Sequence, residues 1–318
     1  MDKIAVLIPC YNESKTIGKV VSDFKAALPE AVIYVYDNNS TDGTDKIARE
    51  AGAVVRYEYM QGKGNVIRRM FREIDADCYI MVDGDDTYPA EEVRKLVQPI
   101  LDGRADMTIG DRLSNGTYAA ENKRGFHNFG NNLVRWLINT LFHAHINDIM
   151  TGYRGFSKKF VKSMPVLSDG FQIETEMTVF SLVYGMKIVE EPITYRDRPE
   201  GSFSKLNTFK DGFKVLLTIF NLLKDHRPFL FFTLVSVLMI IIGIPVSNPI
   251  INSFIETGTI INIRLAVFAS SFFFIALMSF VIGIILDAIK NQTRFLFECH
   301  VNDIVHQMQK EERNNEEY

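Results

Sequence analysis

An Asp-Gly-Asp sequence, Asp83-Gly84-Asp85, follows directly on the apolar run Cys78-Tyr79-Ile80-Met81-Val82. Paired carboxylates at the carboxyl end of a buried strand place hard oxygen donors where open α/β sheets bind their ligands. Such donors suit Mg²⁺ or Mn²⁺, and Mg²⁺ is usually held by one or two carboxylates together with substrate phosphates. The pair therefore points to a phosphorylated or nucleotide-linked substrate handled through a metal. The plainer alternative is a solvated acidic turn.

Other polar segments recur at the ends of apolar runs. The first run, Ile4-Ala5-Val6-Leu7-Ile8, leads to Pro9-Cys10-Tyr11-Asn12-Glu13. The second leads to Asp37-Asn38-Asn39-Ser40-Thr41-Asp42-Gly43-Thr44, the third to Gly62-Lys63-Gly64, and the fifth to Gly110-Asp111-Arg112. Asp37 could accept hydrogen bonds from a base or ribose. Lys63, between two glycines, could approach a phosphate.

The elements that must position these groups alternate. Strands are predicted at residues 4–9, 31–36, 53–57, 78–83 and 107–110. Ser14 can cap a helix running to about Leu28, and Thr41 or Asp42 the next, which stops near Gly52. Pro89 suits the first turn of a helix after the acidic pair. This βαβ alternation implies an α/β fold with a doubly wound, mostly parallel sheet. Residues 113–124 read as a loop and 126–142 as a helix, with Trp136 as packing.

The 318 residues suffice for one large domain or two smaller ones, and a net charge of −4 gives no sign of a nucleic-acid binder. Three scattered cysteines, Cys10, Cys78 and Cys299, form no metal-ligand spacing and read as reduced thiols. No basic region precedes the first strand, so no signal peptide is expected. Residues 228–246 and 265–286 are nearly free of charge, and each approaches the length that crosses a hydrocarbon core. Lys224, His226 and Arg227 precede the first span, and Lys290 and Arg294 follow the second. Positive flanks favour the cytoplasm. A multi-pass protein of the cell membrane is expected, with two spans, both ends cytoplasmic and an outer loop over 247–262; Arg264 is the exception to the charge rule. Residues 212–223 read as an amphipathic helix lying in the bilayer interface, and the polar residues 311–318 as disordered.

With these segments together, the chain resembles the family 2 glycosyltransferases. Ile8-Pro9-Cys10-Tyr11-Asn12-Glu13, the segment from Asp37 to Thr44, Gly62-Lys63-Gly64-Asn65 and Asp83-Gly84-Asp85 carry the resemblance. Asp148-Ile149-Met150-Thr151-Gly152-Tyr153-Arg154 and Gly201-Ser202-Phe203-Ser204-Lys205-Leu206, followed by two spans, are similar to the polyprenyl-phosphate group. That group includes dolichyl-phosphate mannose synthases and bacterial undecaprenyl-phosphate glucosyltransferases. The resemblance implies a glycosyltransferase A-type catalytic domain over residues 1–206, an interfacial segment 207–227, a two-helix membrane region 228–290 and a cytosolic tail 291–318. It also allows a homo-oligomer.

The implied reaction is metal-dependent, inverting transfer of one hexose from a nucleotide sugar to a polyprenyl phosphate on the cytosolic face. The product would serve cell-envelope glycan assembly or modification. UDP-glucose or UDP-N-acetylglucosamine is the expected donor, with GDP-mannose the alternative. By resemblance, Pro9, Tyr11, Asn12, Glu13, Asp37, Asn39, Lys63, Asp83 and Gly84 would line the nucleotide-sugar pocket. Asp83 and Asp85 would hold Mg²⁺ or Mn²⁺, with Asp85 the direct ligand. Arg112, Arg124, Arg154, Ser204 and Lys205 would grip the acceptor or the diphosphate. Asp148 would either orient the acceptor in catalysis or cap the Thr151-Gly152 turn. The Gln-x-x-Arg-Trp motif of the clan's processive polymerases is absent, which argues for single transfers. A phosphate acceptor has a second pKa of about 6 and makes little demand on a general base.

Two other readings compete. Residues 80–87 also fit the Asp-x-Asp-x-Thr pattern of haloacid-dehalogenase-like phosphatases, where the first Asp is a nucleophile. That leaves Asn12, Asp37 and Lys63 unexplained. A membrane-anchored nucleotide-sugar sensor or scaffold would explain the spans and pocket, but not a metal motif beside a basic set.

Overall fold

The computed structural model describes residues 3–114, 125–170, 172–196, 217, 220, 221, 223, 224 and 227–316. Seven strands form one sheet in the order β3-β2-β1-β4-β6-β5-β7. They are β1 (Ile4–Cys10), β2 (Val32–Asp37), β3 (Val54–Tyr57), β4 (Cys78–Met81), β5 (Met107–Asp111), β6 (Arg154–Ser157) and β7 (Ile188–Pro192). Helices α1 (Ile17–Ala27), α2 (Thr44–Glu50), α3 (Lys63–Glu73) and α4 (Val93–Leu101) connect the first five. Then come α5 (Gly125–Phe142), α6 (Lys158–Ser163) and α7 (Ile173–Val183).

Strand alternation sorts the apolar side chains onto two faces. Ile4, Val6 and Ile8 of β1 join Ile33, Val35, Cys78 and Ile80 in one core. Val20, Val21 and Phe24 of α1, Ala48 of α2 and Leu96, Val97 and Ile100 of α4 cover it. Each large side chain buried this way contributes about 1.5–3 kcal/mol. On the opposite face, where Phe156 lies beside Tyr79, a series of aromatic rings packs together, with Phe71 5.6 Å from Phe156, Phe156 4.8 Å from Phe160 and Phe160 5.6 Å from Phe180.

All pairings are parallel except those of β6, which runs antiparallel to both β4 and β5. Arg154 opens β6 opposite Met81 on one side and Ile109 on the other. Reversal of this one strand brings the chain just before it to the carboxyl edge of the sheet. Residues 148–153 thus join the loops after β1, β2, β4 and β5.

Several boundaries depart from expectation. Ser14 does not cap α1: the helix begins at Ile17, and the Ser14 amide donates instead to Asp42 Oδ2 at 3.0 Å. Neither Thr41 nor Asp42 is the cap of the next helix, which is entered through Gly43 at a φ of 83°; Asp42 accepts the Thr44 amide at 3.1 Å from one position earlier. The ladder of β4 ends at Met81, and Pro89 leads into a short 3₁₀ turn, Ala90–Glu92, before α4.

The described residues fall into two compact units, one within 1–219 together with 300–318 and one within 220–299. The second holds helix α8 (Pro228–Thr257) and the apolar part of α9 (Ile263–Glu316). Both helices are long and apolar enough to cross a membrane. Where they pack, Gly243 leaves room for Phe272 and Phe273, and Gly283 for Phe232. The expected outer loop over 247–262 is mostly helix, because α8 continues through Pro245 and Pro249 to Thr257. Between the two prolines, the Ser247 hydroxyl donates to the Gly243 carbonyl at 2.8 Å. The polar end is helical as well, through Glu316: the sequence after Gly283 has neither glycine nor proline to break it. Most of the expected interfacial helix at 212–223 lies outside the described residues.

Gly155 shows how tightly β6 is inserted. A Cβ there would fall on Thr108 Oγ1 and stand 3.0 Å from the Leu96 carbonyl. Gly155→Ala is expected to destabilise the soluble unit by about 1–3 kcal/mol. Thermal unfolding of the full chain in detergent should show a clear drop in melting temperature.

Candidate active site

The loops after β1 and β2 are stitched together by side chains. Asn12, with a left-handed φ of 53°, accepts the Thr41 amide at 2.8 Å, and its own amide donates to Ser40 Oγ at 2.9 Å. The Glu13 amide donates to Thr44 Oγ1 at 2.8 Å. Pro9 pairs in register with Tyr36, and Tyr11 is partly exposed at the edge. Asp37 ends β2 with 4% of its surface exposed. One carboxylate oxygen accepts the Ser40 amide at 3.1 Å; the other, Oδ1, is buried with no hydrogen-bond partner among the described residues. A buried carboxylate oxygen without a donor is costly, and a ligand donor would satisfy it.

Asn38, which the sequence reading passed over, anchors the third loop. Its amide donates to the carbonyls of Glu58 and Met60 at 2.6 and 2.9 Å, and its oxygen accepts the Gly62 amide at 2.8 Å. Asn39, at a φ of 65°, donates to the Tyr59 carbonyl at 3.0 Å. Tyr57 and Tyr59 stack with ring centres 6.4 Å apart, leaving Tyr59 exposed beside this loop.

The acidic pair sits on a constrained turn. The Thr16 hydroxyl donates to the Gly84 carbonyl at 2.6 Å, and a Cβ on Gly84 would lie 2.8 Å from Cys10 Sγ. Asp85 is 3% exposed and accepts the Thr87 hydroxyl at 2.6 Å. Asp83 is more open, and its Oδ1 meets the Lys63 ammonium at 2.5 Å. That ammonium also meets Glu174 Oε1 of α7 at 2.6 Å, and both Lys63 and Glu174 have side chains less than a tenth exposed. Burial alone would pull the Lys63 ammonium down. The carboxylates of Asp83 and Glu174 outweigh it and hold the ammonium above the ordinary lysine range.

The glycines beside Lys63 have a different job from the one expected. A Cβ on Gly62 or Gly64 would fall on the carbonyls of Asp169 or Ser168, and the Gly64 amide donates to the Asp169 carbonyl at 3.0 Å. Arg68 holds the same segment through the Val166 and Leu167 carbonyls at 2.7 and 3.0 Å. Glu176 accepts the Leu167 and Ser168 amides, both at 2.8 Å. The start of α3 is therefore closed by protein, and Lys63 faces inward to carboxylates.

At the end of β5 stands a buried ion pair. Asp148, fully buried, takes Arg112 Nε at 2.7 Å and Nη2 at 2.9 Å. The Arg112 guanidinium also lies 5.5 Å from the centre of the Tyr195 ring. Asp148 is thus the partner of Arg112, and the Thr151-Gly152 turn is held by other groups. The Gly152 amide donates to the Tyr88 hydroxyl at 3.1 Å, and Arg154 Nε donates to the Thr151 carbonyl at 3.0 Å. Arg154 has none of its surface exposed, and its other nitrogens reach the Ile149 carbonyl and Thr178 Oγ1 at 2.5 and 2.9 Å. Burial lowers it to about 10. The expected phosphate contact is not available to so enclosed a group; Arg154 instead shapes the loop that carries Asp148. Gly152 packs so closely on Asp83 that a Cβ would fall on its carboxylate. The remaining predicted site residues, Arg124, Ser204 and Lys205, lie outside the described residues.

No group of three His, Cys, Asp or Glu side chains among the described residues could hold a metal unaided. Asp83 and Asp85 supply oxygen donors on one short turn, the set that suits a hard cation completed by phosphate oxygens.

Comparison with known proteins bears on this arrangement. Residues 5–164 match the family model described as glycosyl transferase family 2. The chain is 35% identical to glycosyltransferase AglJ of Haloferax volcanii over 232 residues, covering 73% of this chain and 75% of that protein. It is 29% identical to a dolichyl-phosphate hexose transferase of the same organism, over 71% of this chain and 96% of that one. Among solved structures, a glucosyl-3-phosphoglycerate synthase from Mycobacterium tuberculosis, in complex with Mn²⁺, UDP and glucosyl-3-phosphoglycerate, aligns with a TM-score of 0.57. Its identity is 20%, over 69% of this chain and 80% of that chain, a likeness of fold.

Arg112→Met would leave Asp148 buried without its counter-charge. A loss of about 3–5 kcal/mol is expected, read as a fall in melting temperature. Pairing it with Asp148→Leu should recover most of that loss.

Proposed function

Because this chain belongs to glycosyl transferase family 2, we propose that it transfers one hexose from a nucleotide sugar to a polyprenyl phosphate. UDP-glucose or UDP-N-acetylglucosamine is the donor, undecaprenyl phosphate the acceptor, and the anomeric centre inverts. The lipid-linked sugar serves assembly or modification of cell-envelope glycans. The observation that carries the donor reading is the buried Oδ1 of Asp37, which has no partner among the described residues. Asp37 is on β2 and the acidic pair follows β4, with β1 between them. Two strand spacings amount to about 10 Å, the scale of a nucleoside. Asp37 takes a donor from the base or ribose, and Asp83 and Asp85 face the diphosphate.

The acidic turn fits a divalent cation, Mg²⁺ or Mn²⁺, which when bound neutralises charge on the leaving diphosphate. The Mn²⁺ and UDP of the mycobacterial structure support this reading. Asp83 and Asp85 would both hold the cation, Asp85 being braced by the Thr87 hydroxyl. Arg112 and Asp148 form the rigid floor of the sugar pocket, and Tyr88 orders the Thr151-Gly152 turn beside Asp83. Arg124, Ser204 and Lys205 hold the acceptor phosphate, which supplies orientation. Arg154 is not among them. Since the acceptor is already anionic, no side chain need remove a proton from it.

The lipid acceptor is supported by the two apolar helices and by the relative named a dolichyl-phosphate hexose transferase. Lys224 and Arg227 before α8, and Lys290 and Arg294 on α9, favour a cytoplasmic catalytic unit with both termini on that side. The phosphatase alternative falls with the family match. The scaffold alternative is separated by turnover.

A donor screen tests the reading. Purified full chain with undecaprenyl phosphate, Mg²⁺ or Mn²⁺, and each of UDP-glucose, UDP-N-acetylglucosamine and GDP-mannose should yield lipid phosphate sugar and free nucleoside diphosphate. Release of nucleoside monophosphate with a lipid diphosphate sugar would overturn it, whereas turnover with GDP-mannose alone would change only the donor. Asp85→Asn should lower activity at least about tenfold, or about 1.4 kcal/mol of barrier. Lys205→Ala should raise the Michaelis constant for lipid phosphate more than it weakens UDP binding.

A further inference from the structure

Lys63 already holds the place of a cation at Asp83. Its ammonium lies 2.5 Å from Asp83 Oδ1 and 2.6 Å from Glu174 Oε1. The side chain is closed in by the Ser168 and Asp169 backbone that packs on Gly62 and Gly64. Glu174 is held in turn on the first turn of α7, whose neighbour Glu176 binds the amides of Leu167 and Ser168. Asp83 differs from the other two: about 29% of its side chain is exposed, against 9% for Lys63 and 6% for Glu174. One carboxylate of the triad is therefore open to an incoming ligand while the other is sealed.

We infer that Lys63 and Glu174 form a cation-exchange device for the acidic turn: Glu174 retains the Lys63 ammonium when a divalent cation takes over Asp83. The inference rests on the metal-assisted reading above. A divalent cation arriving at Asp83 is repelled by an ammonium that keeps its full hold on Oδ1 of the same carboxylate. The ammonium must stay buried and charged, so it needs a second carboxylate. Glu174, already in contact and anchored, is that second partner. With it present, loading Asp83 requires only a small shift of the lysine. Without it, the metal would have to strand a buried ammonium or break the Lys63–Asp83 pair outright. Glu174 is on this account a positioning residue that sets metal affinity without touching the metal or the donor.

The test is Mn²⁺ binding to the full chain in detergent with saturating UDP, read from the electron paramagnetic resonance signal of free Mn²⁺, with melting temperature followed in parallel. Glu174→Gln should weaken Mn²⁺ binding about tenfold or more, because the ammonium then has Asp83 as its one carboxylate. Glu174→Asp should recover part of the loss. The double variant Lys63→Met with Glu174→Gln removes the competing ammonium and its partner together, and should bind Mn²⁺ at least as tightly as the parent. Glu174→Gln that melts lower yet binds Mn²⁺ normally would make Glu174 a purely structural group and overturn the inference. A double variant as weak as Glu174→Gln alone would also overturn it. Asp83→Asn separates the two levels. If it leaves Mn²⁺ binding intact, the metal-assisted reading fails at Asp83 and the exchange fails with it. If it abolishes binding while Glu174→Gln does not change it, the exchange alone fails.

Discussion

Lys63 carries a charge into a region where little of its side chain meets water, and two carboxylates from distant parts of the chain meet it there. One belongs to the turn after β4, the other to the first turn of α7. A buried ammonium left with one partner, or none, would be strongly unfavourable, so the three groups constrain where α3, the acidic turn and α7 can sit. The glycines around Lys63 are a consequence. They let residues 168–169 close over the start of α3, on the side of the lysine away from the open edge of Asp83. What resembles a phosphate loop by composition is thus a packing joint that aims a lysine inward.

The reversed strand is the second determinant. Because β6 runs antiparallel between β4 and β5, the chain before it reaches the same edge as the parallel loops. Arg154 holds that chain from within, through the carbonyls of Ile149 and Thr151. Asp148 can then meet Arg112, and Gly152 can lie against Asp83. Each of these charged groups would be costly alone in the interior. Together they make a stiff support beside the exposed edge of Asp83, against which Gly152 packs. Stiffness of this kind suits a site that orients reacting groups against each other.

The two long apolar helices follow simpler rules. Length and apolarity define them, and glycines opposite phenylalanines set how closely they pack. Proline does not end α8, which continues through Pro245 and Pro249 to Thr257. For an enzyme of this family with a lipid acceptor, such an anchor would keep the catalytic unit near its second substrate.

Much was legible in the sequence because the signals were local. Apolar runs ending in Asp37, Asp83 and Asp111 marked the strand ends, turn residues separated them, and two uncharged runs marked the long helices. The order of those runs pointed to a mostly parallel sheet and placed its polar edge. Local pattern could not show which way a fully buried lysine or arginine faces, because the partner is chosen by the fold. Lys63 meets a glutamate 111 positions away, and Arg112 an aspartate 36 positions away. Nothing in the residues around Arg154 distinguishes a phosphate ligand from an interior tie. Periodicity and composition, which act over a few residues, placed the first five strands, the acidic turn and the apolar helices; β6 and β7, short and without a clear local pattern, came to light only in the folded sheet. The tertiary structure alone decided which charges stay open to ligand and which are neutralised inside, since that depends on the low-dielectric interior the folded chain creates.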